Sequence, residues 1–475
     1  MNILLIIIDA LRTKNLNVYG YPLETSPNIR RIAERGIVFE NAFSCTDCTD
    51  PSLTSILSGR YPLSHGITAQ GPEVKREHLR NLTMSQTVFL QEILKEKGYV
   101  TVAIDWLGRW HKKGYDYYTG EYKSYSAKPA KVLDKRWWYH HVISKLPGFL
   151  VKTVQILYRE FKGYEVTNRA IDFLRTFKDK KFFMLIHYWS THTPYTHYPK
   201  WSRKYRDYYR IEPWEVPIDA VLDKIKNEKY RDYLKRLVSG ANRVGELVRR
   251  YDEAIAFTDK QVGEITKFLE ENGLLEDTLV IVTSDHGESL VEHGIYFSHH
   301  GLYDEVIKVP LILSHPDLPK NIRIKGFIQH CDLVPTILDL LGIKLKLPLD
   351  GVSALPLIYD GKDIREEVYA MGGYEWENGK IAIRNHDYKY IYTPPEKLVC
   401  KLCGYKHGDV HELYNIKIDP LERENIYEKE PKVGLEMKMK IKRFLKTLTI
   451  RKYKYVMARK VKKAFQSRCG ELKTR

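Results

Sequence analysis

Side chains that bind metal ions follow two apolar segments of the chain. Asp9 comes directly after the run Asn2–Ile8, and Asp285-His286 follow the run at 279–283. An aspartate and a histidine offer one oxygen and one nitrogen ligand, which Zn²⁺ and Mn²⁺ both accept. Open α/β sheets bind their ligands at the carboxyl ends of the strands, where these residues would lie. Asp9 by itself could instead cap the next helix.

A hydroxyl group and several imidazoles accompany these residues. Thr49 precedes a predicted helix at 51–57, whose N–H groups and dipole can hold a phosphate or sulfate and stabilise an alkoxide nucleophile. A plain N-cap is the commoner use of such a threonine. His192 follows another apolar segment, and His299 is adjacent to His300. Each histidine alone could be structural, but three of the four segments directly follow apolar strands, which argues against coincidence.

Alternating strand and helix patterns predict the fold that would position these groups. Strands are predicted at 2–8, 37–39, 98–104, 181–187, 279–283 and 309–313, with short later strands at 380–384 and 388–392. Helices are predicted at 27–35, 51–57, 86–97 and 251–271. Strands that alternate with helices imply a parallel sheet covered on both faces. The predicted class is α/β, with a mainly parallel sheet sandwiched by helices and a smaller C-terminal α+β domain.

The same pattern divides the chain into three parts. Residues 1–342 form the predicted catalytic domain, with an insertion at about 112–162 and a helical cap at about 201–250. Residues 343–430 form a small α+β subdomain, and residues 431–475 form a basic amphipathic helical tail. The tail contains 16 lysines and arginines against two acidic residues, so most of the net charge of +17 belongs to it.

Composition excludes several classes of protein. Six cysteines in 475 residues do not make a disulfide scaffold, and no apolar run is long enough to span a membrane. The N-terminal apolar run lacks the basic start, the length and the cleavage site of a secretory signal. We therefore expect a cytoplasmic protein, with peripheral membrane association as an alternative.

Several motifs occur in an order that resembles one known family. The motifs are Asp9-Ala10-Leu11-Arg12, Ser26-Pro27-Asn28, Thr49-Asp50-Pro51-Ser52, Ser58-Gly59-Arg60, His192-Thr193-Pro194 and Thr283-Ser284-Asp285-His286-Gly287-Glu288. Together with later segments they cover roughly residues 1–430. They are similar to those of the sulfatase family within the alkaline phosphatase superfamily.

Departures from the family pattern bear on the chemistry. Formylglycine sulfatases have Cys or Ser two residues before the proline and Arg two residues after it, whereas this chain has Thr49 and Leu53. Cys48 lies one position too early, and threonine cannot be oxidised to the formylglycine aldehyde. Ala10 replaces the second residue of the usual Asp-Asp pair, which removes a hard oxygen ligand for calcium. The pattern is similar to the threonine-nucleophile branch, which includes phosphodiesterases and phosphoethanolamine or phosphoglycerol transferases.

The resemblance implies roles for individual residues. One divalent metal, Zn²⁺ or Mn²⁺ with Ca²⁺ or Mg²⁺ as alternatives, would be bound by Asp9, Thr49, Asp285 and His286. A second metal site is left open. Thr49 would be the nucleophile, with His192 and His300 acting on charge or on the leaving group. Further substrate contacts are expected from a set of cationic and imidazole side chains: Arg60, His299, Arg109 and His111.

The predicted activity is the hydrolysis or transfer of phosphate or sulfate esters through Thr49, with phosphodiester or phospho-head-group substrates favoured. The substrate would be a small molecule or a lipid or glycan ester. One alternative is a sulfatase that works without formylglycine. Another is an inactive family member whose basic tail binds a membrane or nucleic acid, the nucleic acid being less favoured. The sequence does not set the oligomeric state.

Two minor features could add binding sites. Two C-x-x-C pairs, Cys45 with Cys48 and Cys400 with Cys403, could share a structural zinc ion if they meet in space, or they could be free thiols. Apolar residues share one helical face of the tail: Met437, Ile441, Phe444 and Leu445. Such a helix fits an anionic membrane surface, and equally a basic helix packed on the body.

Overall fold

Eight strands form the central sheet of the computed structural model. They are β1 (Asn2–Ile8), β2 (Ile37–Phe43), β3 (Val100–Ile104), β4 (Tyr117–Tyr118), β5 (Phe182–Tyr188), β6 (Thr278–Thr283), β7 (Leu311–Ser314) and β8 (Ile322–Gln329). The structure describes residues 1–105, 107–119, 148–195, 198, 215–238, 240–374 and 379–471, and only the backbone of 148–162 and 452–471. Most of the predicted insertion and the first part of the predicted cap lie outside the described residues.

The strand order is β4-β3-β5-β1-β6-β7-β2-β8. All neighbouring pairs are parallel except those of β7, which runs antiparallel to both β6 and β2. The predicted mainly parallel sheet is therefore confirmed, with one reversed strand. In register, Ile8 pairs with Tyr188 and Ile7 with Thr283, so β5, β1 and β6 end at the same edge. That edge brings together residues that are far apart in the sequence.

Helices cover both faces of this sheet. The helices are α1 (Pro27–Glu34), α2 (Thr49–Ser58), α3 (Pro62–His65), α4 (Arg76–Met84), α5 (Leu90–Glu96), α6 (Gly148–Phe177), α7 (Ile218–Leu222), α8 (Glu228–Leu237), α9 (Val244–Glu271), α10 (Asp304–Ile307), α11 (Leu333–Leu340), α12 (Leu355–Tyr359) and α13 (Pro431–Glu471). Alternate residues of β1 enter two separate buried cores, one containing residues of α1 and α9 and the other residues of α2 and α11. Burial on both faces explains why β1 is apolar throughout.

A second, smaller sheet follows in the chain. Its strands are β9 (Val368–Met371), β10 (Ile381–Arg384), β11 (Tyr388–Tyr392) and β12 (His411–Asn415), all antiparallel, in the order β12-β11-β10-β9. The structure thus has the predicted smaller C-terminal domain.

The tail helix α13 packs against this second sheet. Met437, Ile441 and Leu448 are buried with residues of β9–β12, and the ring of Phe444 stacks on Tyr369 at 3.8 Å. The apolar face that the sequence offered to a membrane is therefore covered by the protein's own body as far as Leu448. Within the part of the chain that the structure describes, no helix has the length and apolarity needed to cross a bilayer.

Candidate active site

The carboxyl ends of β1 and β6 bring Asp9, Asp285 and His286 together, and we call these three residues the Asp–His cluster. One ligand atom of each residue lies within 4.8 Å of the others, and all three are fully buried. Nε2 of His286 is 3.7 Å from Oδ1 of Asp9 and 3.4 Å from Oδ2 of Asp285. Asp9 and Asp285 are 276 positions apart in the sequence, and they meet because the parallel strands β1 and β6 end at the same edge of the sheet.

The donor atoms of the Asp–His cluster suit a cation. Neither carboxylate oxygen of Asp9, nor Oδ2 of Asp285, has a hydrogen-bond partner among the described residues, although all three oxygens are buried. Nδ1 of His286 donates to the carbonyl of Gly287 at 2.7 Å, so in the neutral ring Nε2 presents its lone pair to these oxygens. Converging lone pairs repel one another unless a cation lies between them. The cluster therefore fits a divalent ion with mixed O and N ligands.

The surroundings of the two carboxyl groups in the cluster shift their pKa values in opposite directions. Burial raises the pKa of Asp9, but His192, His187 and His286 outweigh burial and bring it below its ordinary value. Burial and the charge of Asp9 raise the pKa of Asp285. Asp9 is therefore the more strongly ionised ligand.

Thr49 lies at the start of α2, beside the cluster. Its Oγ1 is 3.3 Å from Nε2 of His286, and its side chain is 1% exposed. The helix begins at Thr49 itself rather than after it, and the N-cap position is occupied by Cys48. Thr49 is thus the first residue of the helix and not its N-cap, and no side chain caps this helix end. Its hydroxyl is directed to the cluster.

Two residues that the sequence analysis did not select adjoin the cluster. His187, near the end of β5, places Nε2 3.6 Å from Asp9 and Nδ1 3.0 Å from Asp105, which directly follows β3. Burial lowers the pKa of His187, but the hydrogen bond to Asp105 and the nearby carboxylate of Asp9 outweigh burial and raise the pKa to about 10. A signal was present in the sequence, since both residues lie at the ends of predicted strands.

His192 and His299 form the wall of the site next to His286. The ring of His299 stacks on His286 at 4.1 Å and meets the ring of His192 edge-on at 5.4 Å. Nδ1 of His299 donates to the carbonyl of Asp47 at 2.8 Å, and its Nε2 is 3.1 Å from the hydroxyl of Tyr374. Burial, and then the charge of His286, holds the pKa of His299 well below its usual value. This imidazole is therefore neutral.

Arg109 and His111 reach the site through Asp50, the residue after Thr49. Nη2 of Arg109 is 2.6 Å from each Asp50 oxygen, and Nε2 of His111 is 3.1 Å from Oδ1. Burial raises the pKa of Asp50, but His111 and Arg109 outweigh burial and lower it. The structure thus places Arg109 and His111 on the residue next to Thr49, with the arginine charge already matched by a carboxylate.

Comparison with known proteins identifies the family. The sulfatase family model matches residues 1–343, and the model of the N-sulphoglucosamine sulphohydrolase C-terminal region matches residues 291–450. The chain belongs to the sulfatase family. Metal dependence is general in this family, and the Asp–His cluster holds the groups that could bind the ion.

Relatives in the sulfatase family align along nearly the whole chain. An N-acetylglucosamine-6-O-sulfatase of Bacteroides thetaiotaomicron is 25% identical, covering 90% of this chain and 83% of the relative. A choline-sulfatase of Rhizobium meliloti is 25% identical, covering 90% and 82%. A multifunctional alkaline phosphatase superfamily protein of Trinickia caryophylli is also 25% identical, covering 90% and 91%.

Solved structures show the same fold. A protein in complex with its substrate D-glucosamine-2-N,6-O-disulfate superposes with a TM-score of 0.68 at 20% identity, over 94% of this chain and 98% of that one. A phosphonate monoester hydrolase of Agrobacterium radiobacter superposes with a TM-score of 0.67 at 18% identity, over 95% and 96%. These matches confirm the α/β architecture that the sequence predicted.

Two predicted site residues of this sulfatase-family chain are placed elsewhere. Arg60 is 1% exposed and donates to the carbonyl of Ser85 and the hydroxyl of Thr87, so it braces the loop after α4. His300 directs Nδ1 to Ser298 and Nε2 to Cys400. His300 therefore faces Ser298 and Cys400, while His299 takes the position next to His286, and a catalytic role of His300 stays a prediction.

The four paired cysteines do not form a common site. Cys45 lies beside Cys331, and the space next to Gly373 is bounded by the Cys48 sulfur. Cys400 and Cys403 instead face histidines, as described below. The predicted Zn-Cys₄ arrangement is absent from the described residues because the two C-x-x-C segments are in different environments.

Proposed function

We propose that this sulfatase-family chain is a metal-dependent hydrolase of phosphate or sulfate esters that uses Thr49 as its nucleophile. The observation that carries the proposal is the 3.3 Å separation of Thr49 Oγ1 from His286 Nε2, within the Asp–His cluster. Both Asp9 carboxylate oxygens and Oδ2 of Asp285 are buried and have no hydrogen-bond partner among the described residues. A hydroxyl beside such ligands, at a helix N-terminus, is placed for activation.

The metal ion would be held by Asp9, Asp285 and His286, with the Thr49 oxygen as a further ligand. When bound, it would stabilise charge on the ester oxygens and lower the pKa of the threonine hydroxyl. The N–H of Thr49 at the start of α2 would receive the anionic ester group. The next N–H, of Asp50, already donates to the side chain of Gln70 at 2.7 Å, and Pro51 has none. His299, neutral and stacked on His286, would keep water from that side of the cluster.

Catalysis would proceed in two displacements. Thr49, after losing its proton to water, forms an oxygen bond to phosphorus or sulfur while the bond to the alcohol oxygen breaks. The electron pair stays on that alcohol oxygen, which takes a proton from His192. Water then attacks the same centre and gives its proton to His192, and Thr49 leaves. Since Nδ1 of His192 is bonded to the Thr193 carbonyl at 2.7 Å, these transfers would use Nε2.

The charges around Thr49 favour a substrate group with a single negative charge. The Arg109 charge is matched by Asp50, and His299 is neutral. Phosphodiesters and sulfate esters carry one negative charge at neutral pH, whereas phosphomonoesters carry nearly two. We therefore place phosphodiesters first and phosphomonoesters last.

Sulfate-ester hydrolysis without formylglycine is the second candidate. It is favoured by the relatives that are an N-acetylglucosamine-6-O-sulfatase and a choline-sulfatase, and by the solved structure that holds a disulfated glucosamine substrate. A sulfate ester has the same single charge and the same tetrahedral shape as a phosphodiester, so the same groups would bind it. A transferase would use an alcohol acceptor in place of water in the second displacement.

The test is turnover of matched aryl phosphodiester, sulfate and phosphomonoester substrates by the full chain loaded with Mn²⁺ or Zn²⁺. Thr49→Ala removes the nucleophile, and Thr49→Ser keeps a hydroxyl as the matched control. We expect diester cleavage that is lost in the alanine variant and partly kept in the serine variant. Undiminished cleavage by Thr49→Ala would overturn the proposal, and dominant sulfate cleavage would select the second candidate.

A further inference from the structure

A second cluster of metal-binding side chains lies outside the catalytic site. It consists of His300, Cys400, Cys403 and His407, and we call it the Cys–His cluster. Sγ of Cys400 is 3.7 Å from Nε2 of His300, and Sγ of Cys403 is 2.9 Å from Nε2 of His407. Ligand atoms of His300, Cys400 and His407 lie within 4.8 Å of one another.

These separations are close to those of a zinc site. Zn–S bonds of about 2.3 Å and Zn–N bonds of about 2.0 Å in a tetrahedron put sulfur and nitrogen ligands roughly 3.5 Å apart. The two observed sulfur–nitrogen distances lie on either side of that value. Two thiols and two imidazoles form a donor set that Zn²⁺ prefers.

The backbone around the cysteines is shaped to present both sulfurs on one side. Cys400 and Cys403 are separated by two residues and followed by Gly404, whose φ is +79°. The N–H of Tyr405 donates to Sγ of Cys403 at 3.4 Å, and the N–H of Gly404 donates to the carbonyl of Cys400 at 2.9 Å. An N–H bond to sulfur stabilises the thiolate that a metal requires. A glycine suits the positive φ of this tight turn.

The fourth ligand comes from a distant part of the chain, next to the active site. His300 follows His299, which stacks on the metal-ligand candidate His286. The carbonyl of Cys403 accepts N–H bonds from Lys226 and Asn227, the residues just before α8. A metal ion here would therefore fasten the turn at 400–407, which already bonds to residues 226–227, to the segment that carries His300.

We propose that the Cys–His cluster binds one structural Zn²⁺, which anchors the turn at 400–407 to the active-site segment at 298–301. Four protein ligands would leave no open position, so this ion would not take part in the reaction. The site is distinct from the Asp–His cluster and from the Zn-Cys₄ site considered from the sequence. It also accounts for the outward orientation of His300.

The test measures metal content and spectra of the full chain, and no activity assay is needed. Zinc is quantified by plasma mass spectrometry in the wild type, in Asp285→Asn, in Cys403→Ser and in Cys331→Ser. Cys331 is a buried cysteine beside Cys45, so Cys331→Ser is the matched thiol control. We expect Asp285→Asn to keep one tightly bound zinc, Cys331→Ser to keep as much zinc as the wild type, and Cys403→Ser to hold one zinc fewer than the wild type. Failure of the proposed catalytic function would not change this pattern.

Two further measurements do not depend on Cys403→Ser, so they test the proposal even if that variant misfolds. Co²⁺ substitution in Asp285→Asn should give thiolate-to-cobalt charge-transfer bands and intense visible bands of a tetrahedral site. A mercurial thiol reagent should release one zinc per chain from the wild type, detected by a chromogenic chelator. Absence of zinc from Asp285→Asn, or cobalt spectra without thiolate bands, would overturn the proposal.

Discussion

The carboxylate of Asp50 binds the guanidinium of Arg109 through both oxygens, at 2.6 Å each, one residue after the proposed nucleophile Thr49. The same carboxylate also contacts His111 at 3.1 Å. The charge of Arg109, beside the proposed nucleophile, is thus matched by a carboxylate before any substrate arrives. This relationship underlies our expectation that monoanionic esters are preferred.

Asp50→Asn should shift substrate preference toward dianionic phosphomonoesters. The substitution keeps a hydrogen-bonding side chain but removes the negative charge that matches Arg109. We expect the ratio of kcat/KM for a phosphomonoester to that for a phosphodiester to rise about tenfold, which corresponds to roughly 1.4 kcal/mol. The measurement is steady-state kinetics on both aryl substrates. An unchanged ratio would show that the Asp50–Arg109 pair does not set the charge preference.

Asp285→Asn should weaken binding of the catalytic metal far more than Asp105→Asn. Asp285 presents a buried oxygen without a hydrogen-bond partner among the described residues, whereas Asp105 contacts the cluster only through His187. Loss of an outer partner typically costs about 10–100-fold in metal affinity, and loss of a direct ligand should cost more. Mn²⁺ titration followed by electron paramagnetic resonance measures both. Equal affinities of the two variants would contradict the assignment of ligands.

Asp304 should contribute stability that is lost in acid. It contacts Lys389 at 2.9 Å and Arg384 at 3.1 Å inside the protein. Burial raises the pKa of Asp304, but Lys389 and Arg384 outweigh burial and hold it well below its ordinary value. Since the folded-state pKa is depressed, this stability is present above about pH 4 and is lost as the pH falls further.

The substitution that tests this contribution is Asp304→Asn. It should lower the free energy of unfolding at pH 7 by about 3 kcal/mol, because two buried cations lose a partner. It should also flatten the decline of stability below about pH 4. Urea unfolding across this pH range measures both effects, with the exposed Asp360→Asn as control. An unaltered acid decline in the Asp304 variant would argue against the buried ion pairs as its source.

The tail helix should stabilise the C-terminal sheet through Phe444. This ring stacks on Tyr369 at 3.8 Å and meets Tyr61 edge-on at 4.9 Å. Phe444→Ala should therefore lower the free energy of unfolding by about 3 kcal/mol. Met439→Ala, at a side chain that is 42% exposed on the same helix, should change it by less than about 0.5 kcal/mol. Similar effects of both variants would mean that the helix is not anchored by this face.

Much of the fold followed from local patterns in the sequence. The fully apolar run of β1 and the similar runs of β5 and β6 predict buried parallel strands, and their shared carboxyl edge places Asp9 and Asp285 together. The reversed direction of β7 could not be predicted, because a buried strand has the same composition in either direction. Strand ends also differed from the predicted ones, by one residue at β5 and by four residues at the end of β2.

The candidate site was predicted where strand ends determine position. Loop residues were harder, because their orientation depends on distant partners. His299 and His300 are adjacent and chemically identical, and contacts with distant residues such as Tyr374 and Cys400 distinguish their directions. The placement of Arg60 could not be predicted for the same reason, since its partners Ser85 and Thr87 become neighbours only in the folded chain. Asp50 was part of a motif whose local pattern gave no sign of its pairing with Arg109.

The most direct test of the central claim is to trap the covalent intermediate on Thr49. Full chain loaded with Mn²⁺ is mixed with the preferred aryl ester, quenched in acid within milliseconds, digested and examined by peptide mass spectrometry. The account predicts a phosphorylated or sulfated Thr49 in the wild type and no adduct on this peptide in Thr49→Ala, which should also lack turnover. Turnover retained in Thr49→Ala, or an adduct on a different residue in the wild type, would contradict the assignment of Thr49 as nucleophile.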